Sequence, residues 1–279
     1  MPELPEVETM VRDLLPRITG RVITSVEASF PGIVRWPLYE AFERRVRDQR
    51  ISSVQRRGKY AILSLESGDA LIIHRGMSGS LLLRPREAPM ERYVRLLFHL
   101  DNGEQLRLDD ARKFGRVYVM EAGGNERALP WARMGPEPLH ESFIVATLVQ
   151  SLQGRTASIK ALLLNQQIVA GLGNIYVDEA LHHARLHPSR RANTLARREV
   201  KRLHAAIVEV LSAAVAGRGT TFNSYLDVDG HRGQFQVALR VFHRTGAPCL
   251  ICGTSIIKLV VAGRGTHICP RCQKAPPCP

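Results

Sequence analysis

The chain has 279 residues, of which 44% are hydrophobic, so it is long enough for two or three domains and a sizeable core. Its 39 Lys and Arg residues outnumber its 26 Asp and Glu residues, and the formal net charge of +13 favours a polyanionic partner, with nucleic acid as the first candidate. Charge alone excludes neither a solvated basic surface nor an anionic membrane, but no apolar run approaches the ~20 residues that span a bilayer. The first residues are not a basic segment followed by an apolar one, so we expect a cytoplasmic protein.

The first predicted element is a helix that begins within the first few residues. Val7, Met10, Val11 and Leu14 recur at helical spacing, which gives the segment one apolar face. Pro5 is compatible with a helix only in its first turn, where the missing N–H group is not needed. We therefore expect the chain to open with an amphipathic helix.

From about residue 22 to residue 120 the sequence changes to short β-rich runs separated by Gly, Asp and Asn. These runs are VITSVEA, YAILSLE, ALIIH, SLLLR, YVRLLFHL and GRVYVM. Many short strands with little intervening helix predict an antiparallel sandwich or barrel. We expect the first helix to pack against these strands, so that residues 1–120 form one N-terminal domain.

The second half of the chain is predicted to be helical. Residues 121–140 are rich in Gly and Pro, which is typical of a linker. Apolar residues at helical spacing then predict helices around residues 144–152 and 194–215, the second of which ends near Gly217. A further apolar helical run precedes the sequence GLGN, and another helix follows it. The fold class is therefore predicted to be multidomain α+β.

Four cysteines near the carboxyl end have the spacing of a zinc site. Cys249 and Cys252 are separated from Cys269 and Cys272 by 16 residues, which gives the pattern C-x2-C, spacer, C-x2-C. Two such turns on a β-hairpin bring four thiolates to one tetrahedral Zn²⁺ ion, and a site filled by four protein ligands is structural, not catalytic. Paired disulfides are a weaker interpretation for a chain without a secretory signal. Cys278 is left over and is expected to be a free thiol.

Two Gly-containing segments of the second half are candidates for phosphate contact. Asn174 ends the GLGN sequence, where its side chain would cap the following helix or donate to an anion beside exposed backbone N–H groups. Arg264 stands between Gly263 and Gly265 in the predicted turn of the zinc hairpin, which would bring its guanidinium close to a phosphate. The dense positive charge of residues 185–202 indicates either a binding surface or a solvated face.

Three segments together resemble one enzyme family over essentially the whole chain. MPELPEVET at the start, GLGNIYVDEAL and GRGTHICPRCQ resemble the bacterial formamidopyrimidine-DNA glycosylases, which are 8-oxoguanine DNA glycosylases and AP lyases. The resemblance implies a catalytic N-terminal domain (1–120), a linker (121–140) and a helix-two-turn-helix domain (141–236). A lesion-recognition loop (217–236) belongs to that last domain, and a β-hairpin zinc finger follows (237–279).

The resemblance also implies the catalytic residues. Once Met1 is removed, Pro2 presents a secondary α-amine, whose reference pKa near ~8 leaves a usable fraction unprotonated. This amine would attack the sugar C1′ and form an iminium ion that drives strand cleavage. Glu3 would transfer protons, Glu6 would support it, and Lys59, on a β-hairpin, would contact the phosphate beside the lesion. The simpler interpretations are that the two acids only stabilise a helix N-terminus and that Lys59 is an exposed strand-edge cation.

The remaining site residues also come from the resemblance. A base flipped out of a duplex leaves a void that inserted side chains fill. That role falls to Met77, Arg112 and Phe114, in the Gly-flanked segments HRGMSG and ARKFG, although a Met or Phe is more often part of a core. Further DNA contacts fall to Lys160, Asn174 and Arg264, and contact with the damaged base falls to Asn223, Ser224 and Tyr225.

At four positions the sequence departs from the family pattern, namely Arg75, Asn165, Asn223 and Phe242, and none of these removes a catalytic group. We therefore expect a monomeric repair enzyme that excises oxidised purines from double-stranded DNA, also acts at abasic sites, and cleaves the strand by β,δ-elimination, with one structural Zn²⁺ ion. Two alternatives stay open: an endonuclease VIII type enzyme for oxidised pyrimidines, and a damaged-DNA-binding protein without catalysis. Pro2, Glu3, Glu6 and Lys59 argue against the last of these.

Overall fold

A computed structural model describes residues 2–124, 131–222 and 225–276. The chain divides into two compact units, Met1–Ala132 with Gly217–Gln236, and Arg133–Ala216 with Val237–Pro279. The predicted α+β class is confirmed. Within the described residues, no helix is both long enough and apolar enough to cross a membrane.

The described residues of the first unit form two α-helices and nine strands. The helices are α1 (Leu4–Ile18) and α2 (Tyr39–Val46). The strands are β1 (Val22–Glu27), β2 (Val34–Trp36), β3 (Gln49–Arg57), β4 (Tyr60–Leu65), β5 (Ala70–His74), β6 (Ser80–Pro85), β7 (Val94–Leu100), β8 (Glu104–Asp109) and β9 (Arg116–Met120). All six β-rich runs of the sequence contain a strand. The sequence prediction missed α2, β2, β3 and β8.

These nine strands are hydrogen-bonded in the order β2-β9-β5-β4-β3-β1-β7-β8-β6. Among their pairings, β2–β9 is parallel and the others are antiparallel. Strand β3 belongs to both halves, since its first two residues pair with β1 and residues 51–57 pair with β4. The two halves share one core, because Leu63 of β4, Leu81 of β6 and Phe98 of β7 belong to the same buried cluster. This is the predicted β-sandwich.

Helix α1 packs against β3 and β4, as the sequence predicts. It buries Val7, Met10 and Leu14 in the shared core. An ion pair reinforces the contact: Arg56 Nε, on a side chain only 8% exposed, lies 2.7 Å from a carboxylate oxygen of Glu8. The β3–β4 hairpin is therefore fixed beside the first turns of α1.

In the second unit, the part of the chain that the structure describes forms four α-helices and a β-hairpin. They are α3 (Val145–Leu152), α4 (Ile159–Leu164), α5 (Asn174–His183), α6 (Arg197–Ala216), β10 (Ile257–Val261) and β11 (Arg264–Ile268). The apolar run 165–170 was predicted to be helical, and this is wrong, because the run forms turns between α4 and α5. Helix α6 begins at Arg197, later than predicted, since a separate 3-10 turn occupies Ala192–Thr194.

The described residues of 217–236 belong to the first compact unit, whereas the sequence analysis placed this segment in the helical domain. Arg218 explains the difference. Its guanidinium donates to both carboxylate oxygens of Asp13 on α1, at 3.1 and 2.6 Å, and to Asp227 at 2.6 Å. These charge-assisted bonds attach the segment that follows α6 to α1.

Candidate active site

The first residues of the chain are held by a buried carboxylate. Glu6 accepts the backbone N–H of Glu3 at 2.7 Å through one oxygen and the backbone N–H of Thr220 at 2.8 Å through the other. Glu3 and Glu6 are both buried. Because the Glu3 N–H belongs to the peptide bond that follows Pro2, the Glu6 carboxylate orients Pro2 as well as the start of α1.

Gly219 makes this arrangement possible. Its φ of +79° lies in the left-handed region, and a Cβ there would lie 2.9 Å from Oε1 of Glu6. Only glycine combines that backbone conformation with so close an approach. The segment 218–220 is therefore shaped to receive the Glu6 side chain.

Of the predicted lesion-contact residues, only Tyr225 can be placed. Its side chain is buried, and its hydroxyl donates to the backbone carbonyl of Glu6 at 3.5 Å. The neighbouring Asp227 is also buried. Burial alone would raise the pKa of its carboxyl, but the hydrogen bond from Arg218 lowers it below its usual value. Asn223 and Ser224 lie outside the described residues, as do Met1 and Cys278.

Lys59 lies in the two-residue turn between β3 and β4, with only 8% of its surface exposed. Beside it, burial together with the charges of Lys59, Arg116 and Arg75 lowers the pKa of His74 to about 4. The neutral His74 accepts the backbone N–H of Gly76 through Nδ1, at 3.2 Å. The region around Lys59 is thus strongly cationic, as a phosphate contact requires. Sequence reasoning did not single out His74, although it begins the HRGMSG segment.

The structure brings the three predicted void-filling residues together. Met77 and Phe114 are exposed, and the Arg112 guanidinium lies over the Phe114 ring, 4.6 Å from its centroid. Their two loops touch at Gly76, where a Cβ would lie 2.5 Å from the backbone carbonyl carbon of Phe114. The three side chains therefore belong to one surface formed by two packed loops.

A buried carboxylate that sequence reasoning missed holds these two loops together. Asp110 accepts the Ser78 hydroxyl at 2.8 Å and the backbone N–H groups of Arg112 at 3.2 Å and Gly115 at 2.7 Å. Its side chain has no exposed surface. An Asp just before a Gly-containing loop commonly accepts backbone N–H groups two or more residues on, and this pattern in DDARKFG was the available signal.

In the second unit, Lys160 lies in the interior. Its ammonium donates to Asp178 at 2.6 Å and to the Thr266 hydroxyl at 2.8 Å, and it has no exposed surface. This differs from the predicted DNA contact, because a fully buried side chain cannot reach a phosphate. Asp178 also accepts the backbone N–H of His267 at 2.9 Å. The buried ion pair therefore joins helices α4 and α5 to strand β11.

Asn174 also supports the hairpin. Its side-chain amide donates to the backbone carbonyl of Gly265 at 2.9 Å, and the helix N-cap is Gly173, so the capping role proposed for Asn174 is wrong. Arg264 is the first residue of β11 and is exposed. The turn itself is formed by Ala262 and Gly263, which have positive φ values of +52° and +69°. Arg264 therefore follows the turn, whereas the sequence analysis placed it within the turn.

The four predicted zinc ligands converge. The Sγ atoms of Cys249, Cys252, Cys269 and Cys272 all lie within 4.8 Å of one another. Three of the Sγ···Sγ distances are 3.4, 3.5 and 3.9 Å. Tetrahedral Zn–S bonds of about 2.3 Å place sulfur atoms about 3.8 Å apart, so the cluster fits one zinc ion with no position left for a substrate. The imidazole Nε2 of His182, on α5, lies 3.5 Å from the Cys249 sulfur and supports that ligand.

Three protein-family models match the chain. They are the formamidopyrimidine-DNA glycosylase N-terminal domain over residues 1–117, the H2TH domain of the same enzymes over 134–225, and a zinc finger found in FPG and IleRS over 246–275. Formamidopyrimidine-DNA glycosylases of Symbiobacterium thermophilum and Desulforamulus reducens are 48% and 45% identical to it. Both alignments cover 99% of this chain, and they cover 90% and 100% of the two relatives.

Solved structures agree with these matches. A mutant of the Lactococcus lactis FPG in complex with a Fapy-dG containing DNA superposes with a TM-score of 0.91 at 38% identity, covering 98% of this chain and all of that one. The MutM (FPG) protein of Thermus thermophilus has a TM-score of 0.89 at 40% identity, covering 99% of this chain and all of the other.

We predict that Asp110→Ala loosens both void-filling loops. The buried N–H of Gly115 would lose its acceptor, so the free energy of unfolding should fall by about 1–3 kcal/mol. Affinity for a duplex with an abasic-site analogue, measured by fluorescence anisotropy, should fall about tenfold. The matched control is Asp109→Ala, because Asp109 is the adjacent carboxylate and accepts the backbone N–H of Tyr93. Equal losses of affinity in the two variants would contradict the role of Asp110.

We also predict that Cys269→Ser loses zinc and DNA affinity together, since the hairpin that presents Arg264 depends on the metal. Metal content by mass spectrometry and duplex binding by anisotropy measure the two losses. The control is Cys278→Ser, which should keep both. A zinc-free Cys269→Ser protein that binds duplex DNA like the wild type would show that the ion has no structural role in binding.

Proposed function

The chain belongs to the formamidopyrimidine-DNA glycosylase family, and from this premise we propose which of its residues carry out the reaction. The protein is a DNA glycosylase and AP lyase of base-excision repair that acts on oxidised purines. Its zinc ion is structural. The single observation that carries the residue assignment is the buried Glu6 carboxylate, which fixes the peptide bond after Pro2.

Pro2 is the nucleophile in this proposal. After loss of Met1 its amine nitrogen attacks C1′ of the damaged nucleotide, and the glycosidic bond breaks with its electron pair leaving on the base, which takes up a proton. The Pro2 nitrogen gives up its proton, and the sugar ring opens as the nitrogen lone pair forms a double bond to C1′ and O4′ is protonated, which gives an iminium ion between Pro2 and C1′. Loss of a C2′ proton expels the 3′ phosphate, and a second elimination expels the 5′ phosphate.

Glu3 is the proton-transfer group. It adjoins Pro2 in the chain and is buried, so its carboxyl is positioned to protonate O4′ and later to accept a proton from the sugar. Glu6 is a positioning residue, because its two oxygens are occupied by the backbone N–H groups of Glu3 and Thr220. The two acids also form a capping box at the start of α1, because the Glu3 side chain accepts the backbone N–H of Glu6 and the Glu6 side chain accepts that of Glu3.

The region around Lys59 receives a phosphate beside the lesion. Lys59 and Arg116 are cations near His74, and the low pKa of His74 keeps that ring neutral and able to donate a hydrogen bond at neutral pH. Arg264, exposed at the hairpin, contacts the backbone of the DNA. The monomeric state and the cytoplasmic location stay predictions from the sequence.

Oxidised pyrimidines are a second candidate substrate class. The wild-type Lactococcus lactis FPG, 38% identical to this chain, has been solved in complex with an oxidized pyrimidine containing DNA. The part of the lesion loop that would discriminate the two classes includes Asn223 and Ser224. We propose that the enzyme prefers oxidised purines and that oxidised pyrimidines are a secondary substrate.

Borohydride trapping tests the assignment. Borohydride reduces the iminium ion, so the wild type should become covalently attached to a duplex with 8-oxoguanine opposite cytosine, and mass mapping should place the link on Pro2. Pro2→Gly, whose primary amine replaces the secondary one, should excise the base at least about tenfold more slowly.

The matched control is a duplex with an oxidised pyrimidine at the same position, which should trap more slowly. Attachment through a lysine would contradict the role of Pro2, and preferential trapping on the pyrimidine duplex would move the specificity to the endonuclease VIII type. A processed, zinc-loaded protein that traps on neither duplex would be a damaged-DNA-binding protein.

A further inference from the structure

Arg75 is a fully buried cation to which the proposed reaction assigns no role. Burial lowers the pKa of its guanidinium, while Tyr225, Glu6 and Asp227 raise it. Removing a charge from water is costly unless hydrogen bonds replace the lost hydration. The groups that contact the Arg75 guanidinium therefore indicate the role of this buried charge.

The first partners belong to the loop that carries Met77. Arg75 Nε donates to the backbone carbonyl of Gly79 at 2.9 Å, and the Gly79 N–H donates back to the Arg75 carbonyl at 3.0 Å. A Cβ on Gly79 would lie 2.3 Å from that carbonyl oxygen, so the loop closes tightly around these two bonds. Met77 is exposed midway between them.

The second partners belong to the described end of the lesion loop. Arg75 Nη2 donates to the backbone carbonyl of Leu226 at 3.4 Å, and the guanidinium lies over the Tyr225 ring, 5.1 Å from its centroid. Its Nη1 lies 3.6 Å from the sulfur of Met10 on α1. One buried side chain thus bridges the Met77 loop and residues 225–226.

We propose that Arg75 is a positioning residue that couples the void-filling loop of Met77 to the lesion loop. When Met77 enters the duplex, the displacement of its loop is transmitted through Gly79 and Arg75 to Tyr225 and Leu226, which follow Asn223 and Ser224 in the sequence. The inference deepens the proposed function and rests on it, since it takes the roles of Met77 and of the lesion loop from there.

The coupling is expected to affect two steps of the reaction, base excision and cleavage at an abasic site, to different extents. Excision of a damaged base requires the lesion loop to hold that base, whereas cleavage at an abasic site involves no base to hold. A side chain that only stabilised the fold would affect both steps alike. Loss of the Arg75 bridge should therefore slow excision and spare abasic cleavage.

The test compares Arg75→Met with wild type on two duplexes, one with 8-oxoguanine opposite cytosine and one with a preformed abasic site. Single-turnover excision should fall about tenfold, and abasic cleavage should stay within about twofold. Arg75→Lys keeps the charge but cannot bridge both carbonyl groups, so its excision rate should lie between the two. The matched control is Arg86→Met, which removes an exposed arginine and should change neither rate.

A double-mutant cycle with Met77→Ala measures the coupling itself. If Arg75 links the two loops, the double variant should lose less excision activity than the product of the single losses predicts. Independent, multiplying losses would overturn the coupling, and so would parallel losses of excision and abasic cleavage in both Arg75 variants. Should Arg75→Met fail to fold, as judged by its thermal unfolding, Arg75→Lys gives the same comparison.

Measurements on the wild type with the same duplexes distinguish failure of the proposed coupling from failure of the proposed function. Wild-type excision with trapping at Pro2, together with an Arg75→Lys protein of unchanged excision rate, would overturn the coupling alone. No excision by the wild type would overturn the proposed function and the coupling with it.

Discussion

The Glu6 carboxylate is the interaction on which the rest of the catalytic unit depends. A buried carboxylate is unfavourable unless hydrogen-bond donors surround it. Glu6 accepts one hydrogen bond from the backbone N–H of Glu3, at the start of the chain, and one from that of Thr220, which lies 214 residues after Glu6. The same group thus orders the start of the chain, where the proposed nucleophile Pro2 lies, and anchors the segment that follows α6, so displacement of either removes a donor from a buried carboxylate.

Buried polar groups place the functional side chains elsewhere in the molecule as well. Asp110 fixes the loops of Met77 and Phe114, and the Lys160–Asp178 pair fixes the hairpin that carries Arg264. In each case an exposed residue that would meet DNA is held by a charged residue that would not. Satisfied buried networks rigidify a site, because each broken bond strands a donor or acceptor away from water.

The sequence predicted the parts of the protein that are encoded by short, local patterns. Cysteine spacing, helical periodicity in α1 and apolar β-runs gave the zinc ligands, the first helix and six strands. It missed β3 and β8 because QRISSVQRR and EQLRLD are rich in polar residues. It misplaced Lys160 and overlooked Asp110, since their roles arise from contacts between distant segments that no local pattern records. The attachment of residues 217–236 to α1 depends on Arg218 in the same way.

The most direct test of the account is the rate of borohydride trapping by Glu6→Gln on an abasic duplex. Glutamine keeps the size of the side chain, but its NH₂ group would face one of the two backbone N–H donors in place of an acceptor. We predict that Glu6→Gln is trapped at least about tenfold more slowly than the wild type and binds the duplex with unchanged affinity. Wild-type trapping by Glu6→Gln would contradict the claim that this carboxylate positions the nucleophile.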